Sequence, residues 1–430
     1  MNGCLYDRFK SLYTKTATKP SLVIVPARFK SGTLYSQIPS SNADFTVTRP
    51  LNTATRFDSS ALIQTGITSG IPRLDYYTSG GVTGCPALLV EPAATNALSY
   101  SEEFDNAAWG KSAMTVSTGT TALFTAPDGT TNADKIIATS GNVAHNINRS
   151  GIASAAYTFS VFAKAGEESV ISLWLRGASV RAEFNLVSGT VSNITTTSAR
   201  IENYGNGWYR CTVYDSTAGT TAHVYGRGGA AYAGNGSDGF YLWGAQLETG
   251  SVATSYIPTT AGTGSRSADV VSVSGAVSGS IGQTEGTVYA EVDVRVLGDG
   301  RFATLSDGTS NNRIQCRFNA AINGLDFLVR VSGSSADFSI SNSTHPSFPA
   351  TIPAGTYKIA LGYKQNDYVV AMNGVAYTPT VTTRNVPLNF SKVTLGADVS
   401  DLNQFNNRIR AVALYTTRLT NAELATLTTP

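Results

Sequence analysis

Charge is what this chain most lacks: Asp, Glu, Lys and Arg make up only 14 % of its 430 residues, against about 25 % in an average soluble protein. Long amphipathic helices need a charged face, so few are expected. The 31 basic and 29 acidic residues leave a net charge of +2. No run of Lys or Arg could neutralise several phosphates at once, which argues against nucleic acid as a partner. Cys4, Cys85, Cys211 and Cys316 are widely scattered without a Cys-x-x-Cys pair, so buried free thiols are expected rather than a disulfide framework. His145, His223 and His345 are equally isolated, which gives no support to a zinc site or a His-based triad. Behind Arg8, Lys10 and Lys15 no apolar stretch approaches signal or span length, the longest early one being 22–25. No secretion signal and no membrane insertion are expected.

What is present is a texture of short Thr-, Val-, Tyr- and Phe-bearing runs broken by Gly, Asn, Asp and Ser. That texture reads as many strands and turns, and the expected class is all-β. The length suggests more than one core. Residues 1–52, mildly basic with one or two strands, read as an extended N-terminal arm. Residues 53–98, punctuated by Pro72, Pro86 and Pro92, read as a small collar. The block 99–260 has strand candidates at 157–163, 170–175, 182–186, 208–214 and 240–247. In the first of these Tyr157, Phe159, Val161 and Ala163 share one face. A Gly- and Thr-rich stretch at 261–266 marks a boundary. The block 261–430 has candidates at 288–296, 313–318, 325–331, 356–363, 368–372 and 408–415, with a hairpin turn at Asn373-Gly374. The Thr420-x-x-Glu423 capping box predicts one short C-terminal helix. The arm and collar therefore precede two β-sandwiches.

Chemistry-bearing residues are few. In the run 287–295, Glu291, Asp293 and Arg295 fall on one face of a strand. The pattern resembles the Glu-x-Asp-x-Glu strand of concanavalin A-like glucanases, in which one carboxylate attacks the sugar and the other protonates the leaving group. Arg295 replaces the third carboxylate and cannot exchange that proton. The strand therefore resembles a lectin-type sandwich without hydrolase chemistry, and the plainer reading is a solvated face of an edge strand. Glu102-Glu103 and Glu167-Glu168 are adjacent pairs whose side chains diverge in an extended chain, so no catalytic residue is assigned.

The segments Glu91-Pro92-Ala93-Ala94-Thr95-Asn96, Tyr100-Ser101-Glu102-Glu103-Phe104, Pro127-Asp128-Gly129, Gly207-Trp208-Tyr209-Arg210, Trp243-Gly244-Ala245-Gln246-Leu247-Glu248 and Ser255-Tyr256-Ile257-Pro258-Thr259 are together similar to a module of tailed-bacteriophage structural proteins. The block carrying Tyr368 to Gly374 and Ala413-Leu414-Tyr415 resembles laminin G-like or concanavalin A-like lectin modules. The resemblance implies two jelly-roll (concanavalin A-like) sandwiches in a fibre, spike or decoration protein of the virion. It also implies attachment to other phage virion proteins through residues 1–52, assembly as a homotrimer, and contact with host-surface polysaccharide. A purely structural head or tail decoration and a glycan depolymerase are the alternatives.

Sugar recognition needs aromatic platforms beside planar polar groups. Trp109, Trp174, Trp208 and Trp243 are the tryptophans of the first sandwich, with Trp208 and Trp243 expected in the core. Trp109, Tyr209, Tyr232 and Tyr241 are the candidate carbohydrate-binding residues, and near-neutral charge suits uncharged sugars. Asn235-Gly236-Ser237-Asp238 and Ser306-Asp307-Gly308 offer oxygens to calcium, although turn chemistry alone explains both. No other cofactor is expected.

Overall fold

The computed structural model describes residues 3–27, 29–39, 43–51, 53–78, 81–118, 124–176, 180–379 and 384–430. Strands dominate, and the chain divides into two compact units that are not consecutive in sequence. Residues 51–67 and 93–266 form an inserted unit, and residues 1–50, 68–92 and 267–430 form a discontinuous one.

The inserted unit is a sandwich of two antiparallel six-stranded sheets. The first runs Gly110–Ser112, Asn146–Arg149, Ala222–Gly226, Val170–Leu175, Arg181–Asn185, Thr190–Ser192; the second runs Met114–Thr118, Asp134–Ala138, Gly239–Thr249, Tyr157–Lys164, Trp208–Tyr214, Ser198–Asn203. Alternation sets the core: Phe159, Val161 and Ala163 of the second sheet share a buried cluster with Ile171, Leu173 and Leu175 of the first. The outer face of the second sheet is covered as well. There Phe162 meets Tyr204, Trp243 and Tyr256, and Phe57, from the hairpin of Ala54–Phe57 with Ile63–Ile67, packs edge-on against Tyr204. Gly244 has φ +61° where the pairing register shifts. This bulge brings Trp243 to the same side as Phe162.

The discontinuous unit packs an eight-stranded antiparallel sheet against a ten-stranded one. In the first, Glu285–Val294 lies between Gly355–Lys364 and Asn407–Tyr415. In the second, Arg301–Ser306, Arg313–Asn319 and Gly324–Val331 are consecutive neighbours. Val288, Val292 and Val294 face Leu305, Ile314 and Phe327 within one hydrophobic cluster. Asn373 (φ +47°) and Gly374 (φ +90°) close the hairpin between Asp367–Met372 and Val375–Tyr377, the left-handed pair that a type I′ turn demands. Helix α2, Asn421–Thr428, begins at the Thr420/Glu423 capping box.

The expected arm 1–52 and collar 53–98 are not separate bodies. Leu22–Ile24 pairs with Asn407–Tyr415, Phe45–Thr48 pairs with Val270–Ser274, and Gly81–Val90 pairs with Asn407–Tyr415. Leu22, Ile24, Phe45, Val47, Leu88 and Val90 thereby enter the main core of the discontinuous unit, because their apolar surface finds partners about 200 or more residues away rather than locally. Residues 3–14, read as extended, form helix α1, Gly3–Thr14. Leu12 of α1 shares a cluster with Val23, Tyr289, Ala413, Tyr415 and Leu424 on the outer side of the eight-stranded sheet.

A buried ion cluster ties the three segments of this unit together. Arg73 donates to Glu91 at 2.6 Å and to Asp269, and Arg49 reaches the same Asp269 at 3.0 Å. All four side chains are at most 3 % exposed. Burial alone would lower the Arg73 pKa, and the Asp269 and Glu91 carboxylates more than reverse that. One of the cysteine expectations also fails: Cys211 and Cys316 are buried and free, but Cys85 is disulfide-bonded.

Candidate functional site

The strand that resembles a catalytic one is neither an edge nor solvated. Glu285–Val294 is central to its sheet, with Glu291 7 %, Asp293 0 % and Arg295 7 % exposed. Glu291 accepts from Arg410 at 2.7 Å and lies 3.9 Å from Arg8 of α1; Asp293 lies 3.7 Å from Arg408, which in turn approaches Asp75 at 3.4 Å. Segments remote in sequence supply these cations, so single-strand alternation could not show that the face is covered. Carboxylates enclosed among arginines are suited to holding the sheet together, not to proton transfer.

The four expected sugar-binding rings are not brought together. Trp109 is 2 % exposed, lies against Phe104, donates its indole N–H to the Tyr100 carbonyl at 2.8 Å and has the Arg149 guanidinium over its ring. Tyr232 is buried between His145 and Arg227, and Tyr241 is buried beside Phe124. Their faces are occupied by protein, which corrects the expectation of open platforms at these three positions. Tyr209 is half-buried, and its ring lies where a Cβ on Gly189 would fall. Trp208 and Trp243 are core residues as expected, at 2 % and 0 % exposure.

The residues of the motif segments between 91 and 259 do converge, chiefly on structure. Tyr256 donates to Glu102 at 2.9 Å and bonds Ser101 at 2.7 Å; Asn96 donates to the carbonyls of Ala245 and Ile257; Gln246 accepts from the Ile257 amide. At the margin of this network a cleft of about 600 Å³ is lined by Glu102, Glu103, Asp105, Asn132, Asp134 and four threonines beside Pro258. Burial pushes the Asp134 carboxyl up to about 7, although the Phe104 amide donates to it at 2.7 Å. Burial likewise raises Glu102. Asp134 is only 2 % exposed and caps the turn before the cleft, so the cleft presents chiefly Glu102, Glu103, Asp105 and hydroxyls.

An aromatic ladder that sequence reading missed stands on the outer face of the first sheet of the inserted unit. In Val170–Leu175 and Ala222–Gly226 the inward residues Ile171, Leu173, Ala222 and Val224 belong to the core. Trp174, His223 and Tyr225 point the other way. Register sets Trp174 opposite both His223 and Arg181. The Trp174 and Tyr225 rings stack at 3.9 Å and 29°, His223 stacks on Tyr225 at 5.7 Å, and the Arg181 guanidinium lies 5.2 Å from the Trp174 centroid. Trp174 is buried and held by its indole N–H to Ser172 at 2.7 Å, while His223, Tyr225 and Arg181 are half-buried. Burial lowers the His223 pKa, which favours the neutral ring, and Nδ1 has no hydrogen-bond partner among the described residues. Asn148 and Glu183 continue the polar row on either side, across from His223 and Ser172. The readable signal was the alternation Ser172-x-Trp174 and His223-x-Tyr225, which puts aromatic residues where the outward face of a strand is usually small and polar.

In the two turns considered for calcium, the side-chain oxygens serve local donors. Asn235 Oδ1 accepts from Ser237 and Asp238 amides, and Asp307 Oδ1 from the Thr309 amide and hydroxyl. Among the described residues no group of three His, Cys, Asp or Glu side chains is placed to hold a metal.

No family model matches the chain. No curated protein matches it by sequence. Among solved structures, the CBM40 domain of Ruminococcus gnavus IT-sialidase is similar over 35 % of this chain and 85 % of its own, at 13 % identity and TM-score 0.28. Domain 4 of AbnA, a GH43 arabinanase of Geobacillus stearothermophilus solved with arabinotriose, is similar over 42 % of this chain and 83 % of its own, at 14 % identity and TM-score 0.30. The K499G mutant of Streptococcus pneumoniae NanB sialidase is similar at 16 % identity and TM-score 0.30, and this chain spans 26 % of its length. The strand order and layering define an all-β protein of two sandwiches, one inserted in the other.

Proposed function

We propose that this chain is a non-enzymatic adsorption protein of a tailed-phage particle that binds host-surface glycan through the aromatic ladder of the inserted unit. The observation that carries the reading is the contrast between the outer faces of that sandwich. The second sheet is roofed by Phe57, Tyr204 and Tyr256, whereas the first sheet carries half-buried His223, Tyr225 and Arg181 beside Asn148. Rings stacked on one another present their polar tips and edges, and a rigid row of Tyr hydroxyl, imidazole, guanidinium and amide is suited to sugar hydroxyls. The phage assignment is supported by the sequence resemblance. Residues 1–52 would attach the protein to other virion components, with Tyr6 and Tyr13 of α1 exposed at 53 % and 39 % as the contact, and the chain would assemble as a homotrimer. Binding of the full chain to a panel of host-surface polysaccharides tests this, with Tyr225→Ala expected to reduce it and unchanged binding counting against it.

The depolymerase alternative is favoured by one observation, a cleft lined by the carboxylates of Glu102, Glu103 and Asp105, with the Asp134 carboxyl at its margin held up to about 7 by burial. It requires reducing ends to be released from host polysaccharide by the wild type and not by Asp134→Asn. Absence of release supports the non-enzymatic reading.

A further inference from the structure

The outer face of the ten-stranded sheet gathers arginines that no basic run in the sequence announces. In Arg313–Asn319, Ile314, Cys316 and Phe318 lie in the core, so Arg313 and Arg317 share the opposite face. Pairing sets Arg301 directly across from Arg317, and Arg330 directly across from Arg313. Like charges opposite one another across an antiparallel pair repel.

Only half of that charge is compensated by ion pairs. Arg317 reaches Asp326 at 2.6 Å, and Arg330 is paired with Asp337. Arg301 and Arg313 make no ion pair among the described residues; each donates to a backbone carbonyl, of Asp299 and Ser310 respectively, and each has a buried Nε without a hydrogen-bond partner. Burial first, and then Arg317, lowers the Arg301 pKa against the opposing carboxylates of Asp398 and Asp299; burial and then Arg330 lowers that of Arg313 against Asp337 and Asp398, none of these within ion-pair distance of Arg301 or Arg313 among the described residues. A guanidinium nevertheless stays charged at neutral pH. Both side chains are half-buried, so neither is fully relieved by water.

We propose that this face binds an acidic polysaccharide, whose carboxylates supply the partners that Arg301 and Arg313 lack. The guanidinium fork matches a carboxylate with two parallel hydrogen bonds. Arg313 and Arg317 are four residues apart on one strand, about 13 Å at the usual rise, and Arg301, which makes no ion pair among the described residues, stands across from Arg317. The two cationic stations suit anionic groups repeated along a chain better than a single charged sugar. The inference goes beyond the aromatic ladder and does not depend on it, since the two sites lie on different units.

The test uses the full chain with polygalacturonate as the probe, and its methyl ester and single-stranded DNA as controls. The wild type is expected to bind polygalacturonate in a salt-sensitive way. Arg301→Gln/Arg313→Gln is expected to weaken that binding about tenfold or more, as loss of charge-assisted hydrogen bonds does, and Tyr225→Ala to leave it unchanged. Because the double substitution removes repulsion, its melting midpoint without ligand should equal or exceed that of the wild type. The proposal is overturned if polygalacturonate is not bound, if the methyl ester or DNA binds as tightly, or if the double variant binds equally well. A lowered midpoint with binding intact would assign both arginines to the fold and equally overturn it.

Discussion

The two units use the same strand chemistry but differ in how their polar residues are accounted for. The inserted unit is nearly continuous, and its outward-facing polar and aromatic residues meet either local cover or solvent. The discontinuous unit is assembled from residues 1–50, 68–92 and 267–430, and several residues that alternate outward from its strands are buried by remote segments. Alternation reports which face a side chain takes; it does not report what covers that face.

Deletion of residues 1–50 separates the units most sharply. It removes Leu22, Ile24, Phe45 and Val47 from the discontinuous core, so amide protection over 285–415 should collapse while protection over 157–247 is retained. Equal protection of both units would restore the view of the N-terminal segment as a dispensable arm. Next in size is Asp269→Ala, which leaves the guanidiniums of Arg73 and Arg49 buried without their shared partner. A loss of about 3–5 kcal/mol is expected for the discontinuous unit, measured by urea unfolding followed at residues of that unit, and a loss below 1 kcal/mol would show that the cluster relaxes or hydrates.

Glu291→Gln sharpens the same contrast on a smaller scale. A solvated strand face would tolerate it within about 0.5 kcal/mol, whereas removing the charge facing Arg410 and Arg8 should cost about 1–3 kcal/mol. In the inserted unit the comparable buried acid, Asp134, gives an effect that depends on pH. Its folded pKa of about 7 lies above the ordinary carboxyl value of 3.8. Its protonated form therefore favours the fold fully below that ordinary value, and the benefit is lost as pH rises through about 7. The stability difference between wild type and Asp134→Asn should accordingly shift against the wild type between pH 4 and 7 and then level off. A difference independent of pH would contradict the burial of this carboxyl.

Much of the strand pattern is legible in the sequence. Val170–Leu175 and Trp208–Tyr214 have the expected bounds, and the Asn373-Gly374 turn and the Thr420 capping box occur as expected, because each signal is local. Helix α1 was missed although Leu5, Phe9 and Leu12 have i, i+4, i+7 spacing, since Tyr6, Tyr13 and scattered charge blur its apolar stripe. The candidate site was less legible. Trp109 sits in a loop-like context, yet loops pack inward where an indole finds a carbonyl, here that of Tyr100. The ladder of Trp174, Tyr225 and His223 arises from cross-strand pairing of segments some fifty residues apart, and the arginine face likewise appears only when three strands are laid side by side.

The most direct test of the account is binding of host-surface polysaccharide by the intact chain, compared for wild type, Tyr225→Ala and His223→Ala, with melting curves confirming that each variant is folded. Saturable binding by the wild type that falls about tenfold or more in either variant, in line with base values for losing a stacked or hydrogen-bonding contact, is the expected result. Absence of binding by the wild type, or equal binding by all three folded proteins, would contradict the proposal that this sandwich face recognises glycan.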